Sequence, residues 1–133
     1  PHSFRKNSAM DARLERWLEA EGDRNDNGAV RVLFAGGRSH AVELSETDDE
    51  VLLSAVVTRA AVAKSIETLP SLIWQANRGM GLVGFGLDSK RRLVGRAWIP
   101  KVGLSREEFL LAVRDVAAEC DRLEFLLTGR DDE

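Results

Sequence analysis

The sequence predicts an α+β domain, a five-stranded antiparallel sheet packed with three helices in the order αβββαββα. Three observations lead there. Apolar residues recur at helical spacing near the start and, over a longer stretch, near the end of the chain. Between these lie runs in which β-branched and other apolar residues tend to alternate with polar ones. Clusters of glycine, asparagine, aspartate and serine punctuate those runs where turns are needed.

The first helix is read from Met10 to Glu21, with Met10, Leu14, Trp17 and Leu18 on one side and Arg13, Glu15, Arg16 and Glu19 on the other. Gly22 and the polar run Asp23 to Gly28 end it. Val30 to Phe34 and His40 to Leu44 read as strands joined by the tight turn Ala35-Gly36-Gly37-Arg38, and Val51 to Val57 follows an acidic loop from Ser45 to Glu50. These three strands form a meander. Leu69, Leu72, Ile73 and Ala76 mark a short second helix, with Pro70 tolerated only in its first turn and Gly79 placed to end it; residues 61–68 are assigned to neither loop nor helix.

Leu82 to Leu87 and Leu93 to Ile99 form a second hairpin around Asp88-Ser89-Lys90-Arg91, closed by Pro100, which cannot donate to a ladder. Ser105-Arg106-Glu107-Glu108 is a capping box. Phe109, Leu110, Val113, Val116, Ala117, Cys120 and Leu123 then line one face of a long final helix.

At 133 residues the chain has room for one domain. Pro1-His2-Ser3 opens it without methionine, whereas Met10-Asp11-Ala12 reads as a natural start. Residues 1–9 are therefore expected to be an appended tail, residues 10–128 the domain, and residues 129–133 an acidic tail. With 44% hydrophobic and 31% charged residues, no internal stretch is polar enough to be disordered. A net charge of −3 weakly repels a phosphate backbone, so nucleic acid is not the expected partner. A single cysteine, Cys120, excludes an internal disulfide. No apolar run approaches the roughly 18–20 residues that span a bilayer, so no membrane role is expected and the expected compartment is the cytoplasm.

Several motifs invite a chemical function and fail on physical grounds. Gly79-Met80-Gly81-Leu82-Val83-Gly84 matches G-x-G-x-x-G, but a helix precedes it and a strand follows, so no helix N-terminus faces a phosphate. Asp23, Asn25, Asn27 and Gly28 open like a calcium loop, yet the closing glutamate position is Phe34. Ser39 and His40 are strand neighbours that project to opposite faces. Cys120 occupies a core position, where a buried inert thiol is expected. One histidine and one cysteine outside the tail are too few for a zinc set, and the carboxylates of Glu107/Glu108 and of Glu46, Asp48, Asp49 and Glu50 read as solvated. No catalytic residue, metal or cofactor is expected, and the protein is not expected to be an enzyme.

What remains points to binding. Lys90, Arg91, Arg92, Arg96 and Lys101 gather around the second hairpin, with Arg91 and Arg92 as candidate anion contacts. Trp74 falls just off its helix's apolar stripe, and Trp98 shares a strand face with Val94 and Arg96. Large aromatics outside a core stripe suggest an interface, so Trp17, Val94, Arg96 and Trp98 are the candidate partner contacts.

The element order resembles the class I type III secretion chaperone fold and the YbjN-like family that shares it. The local likeness runs from about Leu69 to Leu127. It comprises a helix ending Gln75-Ala76-Asn77, a strand Gly84-Phe85-Gly86-Leu87-Asp88, a strand ending Ala97-Trp98-Ile99-Pro100, and Gly103-Leu104-Ser105-Arg106-Glu107-Glu108-Phe109 leading into a long helix. The resemblance implies a small acidic bacterial homodimer that binds a segment of another protein, pairing through the helix that carries Leu69, Leu72, Ile73 and Ala76. YbjN-like proteins have also been described as regulators of sensory transduction. The expectation is a chaperone-like binding module whose sheet and first helix take a partner segment; the alternative is a regulatory or nucleic-acid-associated accessory protein that uses the basic hairpin.

Overall fold

The computed structural model describes residues 11–19, 23–24, 29–79 and 81–129. Residues 1–10, the end of the first helix as read, most of the calcium-like loop, Met80 and residues 130–133 lie outside them. The elements are α1 (Ala12–Glu19), β1 (Asp23–Arg24), β2 (Val30–Leu33), β3 (Ser39–Glu46), β4 (Glu50–Thr58), α2 (Ala60–Ser65), α3 (Leu69–Asn77), β5 (Gly84–Leu87), β6 (Leu93–Pro100) and α4 (Arg106–Thr128). The expected αβββαββα order is present, with a two-residue strand and a short helix added.

The strands form an antiparallel sheet in the order β1-β2-β3-β4-β6-β5. Parity along each strand sorts the side chains. Val30 and Val32, His40 and Val42, Val51, Leu53, Ala55 and Val57, and Leu93, Ala97 and Ile99 are buried toward the helices. Their neighbours at the alternate positions face the other way. The β2–β3 turn is tight because Gly36 and Gly37 take φ of 87° and 85°, a region closed to most side chains, which lets Phe34 N–H reach the Arg38 carbonyl at 2.8 Å.

Residues 59–77 do not form one helix, and Pro70 is the reason. A continuous helix would press its ring against the carbonyl of Ile66, four residues earlier, and Pro70 has no N–H to donate there. Ile66 is accordingly extended (φ −93°, ψ 103°), so α2 ends at Ser65 and α3 starts again with Pro70 in its first turn. Residues 82–83, read as strand, precede β5, and the turn residues Asp23 and Arg24 pair with β2.

Helix α4 closes the core. Phe109, Ala112, Val113, Val116, Ala117 and Cys120 are buried against β3, β4 and β6, and α1 adds Leu14 and Leu18. The capping box forms as read: Ser105 Oγ accepts from Glu108 N–H at 3.1 Å, and Glu108 Oε1 accepts from Ser105 N–H at 3.2 Å. Replacing Ser105 with alanine should therefore lower stability by about 1 kcal/mol, seen as a lower urea midpoint at an unchanged slope.

Candidate protein-binding site

The sheet has two unlike faces. Helix α4 covers one. On the other, a groove of about 490 Å³ is lined by strand residues and the β5–β6 turn, with no helix residue among its described walls. Cross-strand register builds its rows: Ser45 beside Leu52 beside Trp98, Glu43 beside Ser54 beside Arg96, and Val56 beside Val94. Val94 is buried in the floor and Leu52, Val56 and Arg96 are half-buried; Trp98, paired with Leu52, is 48% exposed and lies outside the groove's lining. The parity argument that put Val94, Arg96 and Trp98 on one face is thus met in three dimensions.

The other candidates separate. Trp17 is half-buried, its ring 5.6 Å from that of Phe109 with the Arg13 guanidinium 5.4 Å from its centroid; it belongs to the α1–α4 packing and lies away from the groove. On α3, Leu69 is buried and Ile73 packs half-buried on the core, while Leu72 and Ala76 are half-buried. Trp74, just off that stripe, is 63% exposed beneath the Arg78 guanidinium.

The basic hairpin is partly neutralised. Asp88 accepts from the N–H groups of Lys90 and Arg92 at 3.0 and 2.8 Å and pairs with the Arg92 guanidinium at 2.8 Å. Burial alone would raise the Asp88 carboxyl, but the Arg92 N–H and guanidinium hold it below the ordinary aspartate value. Lys101 pairs with Glu46 at 2.8 Å, and Glu46 also accepts from the Asp11 N–H at 3.2 Å, tying the start of α1 to the end of β6. Arg91 is exposed in the turn at φ 65°. The groove therefore presents both signs of charge, Arg92 and Arg96 beside Glu43 and Asp88, rather than a cationic track.

One edge of the sheet is protected. The Asn77 side chain brackets β5, donating to the Phe85 carbonyl at 3.0 Å and accepting from the Phe85 N–H at 2.7 Å. An added strand would need those same two groups. The middle of the β5 edge is thus already engaged, whereas the groove is open.

The nucleophile candidates are placed too. Ser39 Oγ accepts from Arg31 at 2.9 Å while His40 is fully buried on the opposite face. Cys120 is fully buried, its thiol donating weakly to the Ala55 carbonyl at 3.8 Å, and burial pushes that thiol up to about 12. Sequence reasoning missed a buried polar cluster: His40 meets Asp121 and Glu124 of α4, all at most 2% exposed. The signal was available in the stripe of α4, because Asp121 and Glu124 continue it one turn beyond Ala117 and Cys120.

No protein-family model matches the sequence, nor does any curated protein. Solved structures do match in fold. A chain of the ExsC–ExsE complex superposes with a TM-score of 0.60 at 20% identity, covering 89% of this chain and 97% of that one. YbjN from E. coli gives 0.59 at 17% over 87% and 89%. A chain of the heterodimeric ExoU–SpcU complex from the type III secretion system of Pseudomonas aeruginosa gives 0.57 at 19% over 92% and 100%. The chain thus has the YbjN-like, type III secretion chaperone-like α+β fold that its element order resembled. Among the described residues no helix is long and apolar enough to cross a membrane.

Proposed function

We propose that this protein is a non-enzymatic, homodimeric, chaperone-like module that binds a segment of another protein in the groove on its open sheet face. The observation that carries this reading is a groove floored by Leu52, Val56 and Val94 between charges of both signs, with exposed Trp98 paired to Leu52 on the neighbouring strand. Such a surface buries apolar side chains of a partner segment and fixes its direction through Glu43 on one side and Arg96 on the other. The fold's occurrence in two protein–protein complexes supports a protein as the partner. The half-buried face of α3, Leu72 and Ala76, with exposed Trp74 beside it, is the surface through which two copies pair.

Light scattering of the protein during titration with apolar segments from co-encoded proteins tests both parts. A dimer taking up one segment per subunit is expected. Trp98→Ala should weaken that uptake about tenfold or more with an unchanged far-ultraviolet spectrum, and Leu72→Glu should yield monomers. Uptake that survives Trp98→Ala unchanged but is lost on Arg91→Glu, at a residue outside the groove lining, would move binding to the basic hairpin, as would steep weakening by salt.

A further inference from the structure

We propose that His40, Asp121 and Glu124 form a binding site for a first-row divalent metal ion such as zinc, buried between the sheet and the end of α4. The argument starts from the imidazole. His40 Nε2 lies 2.6 Å from the Val56 carbonyl oxygen, which can only accept, so the proton sits on Nε2. Nδ1 then points inward with no hydrogen-bond partner, 3.7 Å from Asp121 Oδ1 and 3.8 Å from Glu124 Oε1. The ring is fully buried and the carboxylates are 2% and 1% exposed.

A nitrogen lone pair facing two buried carboxylate oxygens is a repulsive arrangement that a positive centre between them relieves. Arg38 lies 3.0 Å from Asp121 Oδ2, while Asp121 Oδ1 faces the imidazole. A protonated Nδ1 is the alternative to a metal ion. Its N–H would draw an oxygen to about 2.7–2.9 Å, nearly an ångström closer than either one stands. A metal ion accounts for the wider gap. Ligand bonds of about 2.0–2.2 Å place donor atoms about 3.4 Å apart at the tetrahedral angle and at most about 4.2 Å apart, a range that includes both measured separations. The three donor atoms lie within 4.8 Å of one another, so a small rotation of Glu124 completes the set.

The surroundings also suit an ion. A metal-ligating histidine typically donates its other N–H to a carbonyl, as His40 does to Val56. Asp121 and Glu124 are three residues apart on one helix and so project together. One imidazole and two carboxylates suit zinc, cobalt or manganese better than a thiolate-seeking ion, and Cys120, next to Asp121, is engaged with Ala55. Arg38, whose guanidinium lies over the Phe125 ring, is 44% exposed and links Asp121 to the surface. An ion here would bind β3 to α4 directly.

The test uses the full chain, stripped with chelator and titrated with Co²⁺ and then Zn²⁺, followed by calorimetry and visible absorption. One equivalent of Co²⁺ is expected to bind, give ligand-field bands, raise Tm by about 5 °C or more at saturation, and be displaced by Zn²⁺. Glu124→Gln and His40→Gln should each weaken Co²⁺ by about 100-fold or more. Absence of saturable one-equivalent uptake by the wild type overturns the proposal. So does uptake that both variants retain. Where a variant does not fold, X-ray absorption on the zinc-loaded wild type decides: one imidazole nitrogen with oxygens and no sulfur supports the site, and a sulfur-containing or histidine-free shell overturns it.

Discussion

Replacing Phe109 with alanine is expected to lower stability by about 4 kcal/mol and Tm by roughly 12 °C. Phe109 is fully buried in the first turns of α4, and its ring is the common support of two elements: it joins the core of the sheet and carries Trp17 of α1 at 5.6 Å. Truncation removes the largest single apolar contribution of α4, and the Trp17 ring has nothing else of that size to lean on. Two readouts separate this from a general weakening. Urea unfolding should show a lower midpoint with little change in slope, and the Trp17 contribution to emission should shift to the red in the folded variant. Leu111→Ala, two residues on but 60% exposed, should change stability by less than about 0.5 kcal/mol. Similar losses at both positions would show that α4 is seated differently from the arrangement described above.

The contrast between Phe109 and Leu111 was legible in the sequence, because the helical stripe and the capping box fix both the start of α4 and its inner face. The strands were legible for the same reason: period-two alternation assigns Val94, Arg96 and Trp98 to one face whatever the neighbouring strand is. Other features had weaker local signals. Strand β1 exists only because it pairs with β2, and nothing in Asp23-Arg24 favours extended structure by itself. The separation of α2 from α3 was visible through Pro70, but only when its carbonyl partner four residues earlier is considered. Trp17 was read as a contact for a partner, yet its place beside Phe109 depends on how α1 crosses α4, which no local pattern specifies. The His40 cluster illustrates the same limit. Each residue falls on a stripe that can be read alone, whereas their meeting depends on which turn of α4 lies over β3. Candidate sites built on one element were therefore readable, and those built between elements were not.

Gly95→Ala is the second large effect expected, about 3 kcal/mol of destabilisation from one added methyl group. Gly95 lies on the helix-facing side of β6, opposite Ala55 on β4 and Phe85 on β5. A Cβ there would overlap Cys120 Sγ and stand 3.0 Å from both Phe85 Cε1 and Val83 Cγ1. Its φ is not in the left-handed region, so an alanine backbone is allowed and the gain from a stiffer unfolded chain, about 0.4–1 kcal/mol, partly offsets the clash. Steric crowding is larger and sets the sign. The glycine is thus what lets α4 approach the sheet closely enough to bury Cys120, and the two positions should be coupled. Cys120→Ala alone should cost about 1 kcal/mol, but in the Gly95→Ala background it removes the overlapping sulfur, so the double variant should be more stable than Gly95→Ala alone. Strict additivity in urea unfolding would sink this explanation. Thiol chemistry gives an independent reading, since burial now holds the Cys120 thiol up at about 12 and nearly unreactive near neutral pH. If Gly95→Ala is accommodated by outward movement of α4, Cys120 should react with a disulfide reagent much faster than in the parent; if Phe85 and Val83 yield instead, the thiol should remain protected while stability still falls.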